Sequence, residues 1–169
     1  FRLEASLRQA LERGEFVLHY QPRVVIATGE IEGVEALVRW RRPDGALAAP
    51  EEFIGNAEAT GLVGPLGNWG LDEACRQMRE WLQSGLAIRT MAVNVSPRQL
   101  RDPGFVARVA AVLATTGLDP ALLEVEITES AVLDDNPETD ARIRQLTGLG
   151  VRLAIDDFGT GYASLASLR

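Results

Sequence analysis

The sequence has one cysteine, Cys75, one histidine, His19, and no lysine, so its 17 basic residues are all arginines. A single cysteine excludes an internal disulfide and fits a reducing compartment. The arginines are scattered rather than clustered, and 24 acidic residues bring the formal net charge to −7. That balance sets duplex nucleic acid aside as a partner. An anionic ligand would need arginine or metal placed locally. No stretch is long and apolar enough to span a bilayer, and no secretory signal is visible. The chain begins at Phe1 and reads as a piece of a longer protein. A lone histidine in a strand is more often structural than catalytic, and His19 is read that way. Cys75 falls in a helical pattern and is read as core. What is present is an ordinary globular mixture: 169 residues, 46% hydrophobic and 24% charged. That suits one domain with a real core.

The chain is organised around residues 151–164, VRLAIDDFGTGYAS. An apolar strand runs into two adjacent carboxylates, Asp156 and Asp157, and then into a glycine-rich turn. Successive side chains on a strand point to opposite faces. Val151, Leu153 and Ile155 therefore share one face, and Arg152, Ala154 and Asp156 share the other. Two carboxylates this close repel each other unless a cation sits between them. A hard divalent ion is the natural counter-charge, because such ions prefer oxygen ligands. The plainer alternative is a solvated Asp-Asp turn.

Upstream, helical and strand patterns alternate. Leu3, Leu7, Ala10 and Leu11 predict an amphipathic helix. Residues 16–26 predict a strand interrupted at Pro22, and residues 31–40 another. A helix is expected from Pro50, with Gly61 at its end, and a longer one from about Pro65 to Ser84. Further strands are expected over 89–96 and 122–130, with helices over 105–116 and 134–148 between the strands. Strands alternating with helices argue for parallel β/α units. One face of each strand is apolar. The opposite faces carry Glu35, Asn94, Glu126 and Asp156, each near the C-terminal end of its strand. Separately, Glu35 with Arg39 could be a plain surface ion pair, and Asn94 could only pin a turn. Four oxygen-bearing side chains on four strands describe a hard-metal site at the mouth of a β/α barrel, where catalytic residues collect. That reading ranks above the solvated turn.

The motifs, taken in order, resemble the EAL domain family, the cyclic di-GMP phosphodiesterases of bacterial signalling. The family name is spelled by Glu35-Ala36-Leu37. The likeness continues through FVLHYQP at Phe16, PEEFIGNAEATGL at Pro50, NWGLDEACRQM at Asn68, NVSPRQL at Asn94, EITES at Glu126 and DDFGTGYASL at Asp156. The resemblance implies a TIM-like (β/α)8 barrel whose first strand runs antiparallel to the rest. About five of its eight strands lie in this chain, so residues 1–169 would be a partial EAL domain. A catalytic-site lysine, a later metal-binding glutamate and a ligand-contacting glutamine of the family would lie beyond it.

By the same resemblance, Glu35, Asn94, Glu126 and Asp156 bind one divalent ion, and Asp156 with Asp157 reaches a second. Mg²⁺ or Mn²⁺ is implied. Glu35, Asp156 and Asp157 are the catalytic set. Arg39 matches an arginine that contacts a ligand phosphate, Leu37 a ligand contact, and Gln21 a weaker ligand contact. Glu129 matches a glutamate that braces the loop after DDFG, residues 158–165. The implied reaction is two-metal hydrolysis of cyclic di-GMP to linear pGpG. The implied setting is cytoplasmic, either free or as the inner part of a membrane-anchored protein, as a homodimer with an upstream sensory or GGDEF domain. The alternative is a catalytically silent EAL domain that serves as a cyclic di-GMP receptor. An unrelated enolase-like metal barrel fits the carboxylates but not the ordered motifs.

Overall fold

The computed structural model describes residues 2–133 and 136–156. Helix α1 (Arg2–Arg13) leads into strand β1 (Phe16–Val24), which turns back as β2 (Ile31–Arg41). A two-residue strand, β3 (Leu47–Ala48), and helices α2 (Ile54–Thr60) and α3 (Val63–Gln83) follow. Next come β4 (Met91–Val95), α4 (Pro97–Arg101), α5 (Phe105–Thr116) and β5 (Leu123–Thr128). The described chain ends with α6 (Glu129–Leu133), α7 (Pro137–Gly148) and β6 (Arg152–Asp156). The strands form one sheet in the order β1-β2-β4-β5-β6, with β3 paired to β2. Strand β1 is antiparallel to β2, whereas β2, β4, β5 and β6 are mutually parallel. The expected alternation and the reversed first strand are both present.

Two apolar clusters hold the layers together. The larger one lies between the sheet and its helices. Met91, Val93, Leu123, Val125 and Ile127 pack there against Ala74, Cys75 and Met78 of α3 and Val109 of α5. Periodicity explains it, because β4 and β5 each place alternate residues on the helix side. The smaller cluster joins α1, β1, β2 and α2 through Leu7, Phe16, Trp40 and Phe53. Phe16 sits 5.6 Å from Phe53 and 6.1 Å from Trp40, ring centre to ring centre.

Cys75 is fully buried, and burial followed by the charge of Asp72 pushes its thiol up to about 12. The thiolate is the reactive form. Cys75 is therefore expected to resist a thiol reagent at pH 8 in the native protein and to react at once in denaturant. Rapid native labelling would contradict the burial.

Four local expectations change. Strand β1 runs unbroken through Pro22, opposite Val34. It lies at the edge of the described sheet, where a residue without an N–H is tolerated. The loop after Arg41 contains β3. The helix expected from Pro50 starts as a single 3₁₀ turn, Pro50–Glu52, and breaks at Phe53 (φ −139°) before α2. Leaving helical geometry goes with complete burial of the Phe53 ring. Finally, the helix expected over 134–148 begins at Pro137, after a separate α6. Proline disfavours helical geometry in the residue before it. Asn136 is accordingly extended, and its side chain accepts from the Glu138 N–H at 2.9 Å.

Candidate active site

The strand registers bring the acidic positions together. Glu35 is level with Ala92, two residues before Asn94, which is level with Glu126. Asp156 is level with Thr128, two residues beyond Glu126. The four positions climb four residues across three strand steps. A barrel with a shear of eight over eight strands climbs about one residue per strand, so such positions stay near one height along the axis. Paired residues in a sheet share a face, so all four point to the same side. That side is opposite the helix-covered core.

Glu35, Leu37, Asn94, Glu126 and Asp156 all line one cleft of about 470 Å³. Its other wall comes from α2 and α3, through residues such as Ile54, Leu66 and Gly70. Asn94 Nδ2 donates to Glu35 Oε1 at 2.8 Å, tying β4 to β2. Glu126 is buried, whereas Asn94 and Asp156 are exposed and Glu35 is half-buried. Arg39 shares the face of Glu35, but it lies outside the cleft lining and donates from Nη1 to the Val38 carbonyl at 2.9 Å. The simple Glu35–Arg39 ion pair is therefore not formed. Gln21 is exposed and level with Glu35, also outside the lining. Glu129 is buried at the start of α6. His19 is exposed opposite Leu37, on the site face rather than in the core. Asp157 and the loop 158–165 lie outside the described residues.

One partner was missed by the sequence pattern. The Arg23 guanidinium bridges Glu124 and Glu126 on β5. Only the alternation on β1, which puts Arg23 on the face of Gln21, could have signalled it. Among the described residues, no group of three or more His, Cys, Asp or Glu gathers closely enough to hold a metal ion. The four predicted positions in the cleft are nevertheless three carboxylates and one amide, all offering oxygen, which suits a hard divalent cation.

The sequence matches the family profile described as EAL domain over residues 4–169. The chain belongs to the EAL domain family. It is 48% identical to the bifunctional diguanylate cyclase/cyclic di-GMP phosphodiesterase MucR of Pseudomonas aeruginosa, over 97% of this chain and 24% of MucR. It is 44% identical to the cyclic di-GMP phosphodiesterase NbdA of the same organism, over 99% of the chain and 22% of NbdA. The EAL chain thus spans about a quarter of the length of these curated relatives. A solved structure of the MucR phosphodiesterase in complex with c-di-GMP superposes with a TM-score of 0.92 at 47% identity. It covers 98% of this chain and 67% of that one. The sheet is accordingly part of a TIM-like barrel with an antiparallel first strand.

Two glycines of the EAL domain allow close approaches, Gly67 in the cleft lining and Gly33 where β2 meets β4. A Cβ on Gly67 would meet the buried Gln99 amide at 1.8 Å. Gln99 in turn closes a capping box with Ser96 at the start of α4. A Cβ on Gly33 would lie 2.8 Å from the Thr90 carbonyl oxygen, where β2 joins β4. Gly33→Ala is expected to cost about 1–3 kcal/mol of stability, because backbone must move to relieve the overlap. Urea denaturation measures it, and an unchanged midpoint would show that the strands adjust freely.

Proposed function

We infer that this EAL domain hydrolyses cyclic di-GMP to linear pGpG with the help of two divalent ions, Mg²⁺ or Mn²⁺. The observation that carries this reading is the set of four oxygen-bearing side chains from four strands at one level of one cleft. Glu35, Asn94, Glu126 and Asp156 would hold the first ion, and Asp156 with Asp157 the second. Bound ions would supply positive charge at the scissile phosphate and acidify water. The Asn94–Glu35 hydrogen bond fixes both side chains before ligand arrives. Buried Glu126 has few alternative positions. The Arg39 guanidinium, once turned from Val38, offers paired donors to a phosphate. Leu37 offers an apolar contact beside Glu35, and Gln21 a polar one across β1.

In hydrolysis, water oxygen bonds to phosphorus and the P–O3′ bond breaks. The 3′ oxygen leaves as a hydroxyl with a proton, and the phosphate stays on the 5′ oxygen, as pGpG requires. A net charge of −7 repels a dianionic ligand, so local cations must reverse the sign. Residues 1–169 would act as part of an EAL domain in the cytoplasm, paired with a second copy and with a sensory or GGDEF domain. No described helix is long and apolar enough to cross a membrane.

Product chromatography tests the reading. The full-length protein is incubated with cyclic di-GMP and Mn²⁺. The expected result is pGpG that disappears with chelator. Binding of cyclic di-GMP without product would instead identify a receptor.

A further inference from the structure

Strand β1 runs against its neighbours, so Arg23, near its C-terminal end, lies on the site face near the N-terminal ends of the parallel strands. It stands opposite Gly33, which has no side chain to block the way across β2. The guanidinium passes β2 and β4 and reaches β5. There Nη1 pairs with Glu124 Oε1 at 2.5 Å and Nη2 with Glu126 Oε1. The Glu126 side chain is only 6% exposed. Glu124 is level with Arg152, whose Nη1 donates to Thr90 Oγ1 at 3.3 Å. A fixed cation therefore already occupies a carboxylate that the proposed function assigns to a metal ion.

We propose that Arg23 is an internal counter-cation that competes with the divalent ion for Glu126, and that Glu124 is the post to which it withdraws. The inference rests on the reading of Glu126 as a metal ligand. A buried carboxylate with no cation is costly, and arginine stays charged at any working pH. Arg23 thus satisfies Glu126 when no ion is bound. Nη2 holds Oε1 of Glu126, and two cations on one oxygen repel, so an ion that takes Oε1 releases Nη2. Glu124 keeps Nη1 partnered through that release, which makes the exchange feasible. The state competent for metal is only a fraction of the whole, and apparent affinity falls by that fraction.

The test is calorimetric titration of the full-length protein with Mn²⁺ alone. Wild type is compared with Arg23→Met and with Arg23→Met/Glu124→Gln. Both variants are expected to bind Mn²⁺ about tenfold more tightly, since the competing contact is gone. In chelator, Arg23→Met is expected to melt below wild type, and Mn²⁺ should raise its Tm by more. The double variant removes one cation and one anion, so its local net charge equals that of wild type. Tighter binding there reports the lost contact rather than added negative charge. It also leaves Glu124 neutral, which keeps the test readable if the single variant unfolds. A wild-type Kd in the double variant, or weaker binding in both, overturns the proposal. Weaker binding would mean that Arg23 instead positions Glu126 for the ion. Absence of Mn²⁺ binding in all three proteins would remove the metal reading and this proposal together. Normal wild-type binding with unchanged variants would remove this proposal alone.

Discussion

Glu35→Gln is expected to lower the rate of cyclic di-GMP hydrolysis about 10³-fold, equivalent to about 4 kcal/mol in the barrier. The substitution is nearly isosteric. Glutamine keeps a side-chain oxygen that can accept from Asn94 Nδ2, so the 2.8 Å link between β2 and β4 is retained. What is lost is one negative charge among the oxygen donors of the cleft. The Tm in chelator should stay within a degree or two of wild type, while Mn²⁺ affinity and turnover both fall. Asp156→Asn removes charge four residues higher on the same face and is expected to do the same. Near-normal turnover in either variant, measured as pGpG released, would overturn the site assignment.

Phe53→Ala is expected to destabilise the domain by about 3–5 kcal/mol, the range for removing a buried aromatic ring. Phe53 is fully buried, 5.6 Å from Phe16 and 6.2 Å edge-on from Trp40. Its cluster joins α1, β1, β2 and α2, so several elements border the resulting cavity. The effect should also reach the site. Ile54, the next residue, begins α2 and lines the cleft opposite Glu35. Denaturant titration should show the lost stability, and ligand binding should weaken as α2 loosens. A loss below about 1 kcal/mol would mean that the cluster collapses onto the gap, the cheaper outcome for large-to-small changes.

Much of this architecture is written locally. Period-two alternation on three strands separates Met91, Val93, Leu123 and Val125 from Asn94, Glu126 and Asp156, and burial follows that division closely for the apolar set. Helix α5 matches its expected bounds, because Gly117 stops it in a left-handed conformation. Local signals failed where a distant partner decided the outcome. Phe53 breaks a helix where its ring enters a cluster built from β1 and β2. Pro22 stays in a strand because that strand lies at an edge. The last described helix begins at Pro137, because proline holds Asn136 in extended geometry, a signal present in the sequence.

The amino-acid order alone specified the elements, the family motifs and which side of each strand carries oxygen. Those properties depend on spacing and dihedral preference, which act over a few residues. The four-residue climb that levels Glu35, Asn94, Glu126 and Asp156 depends on strand register, which only the assembled sheet sets. The Arg23 bridge joins residues 101 and 103 positions apart. No local periodicity reaches that far. Only the tertiary structure could place a fixed cation on a carboxylate that the sequence had assigned to a metal.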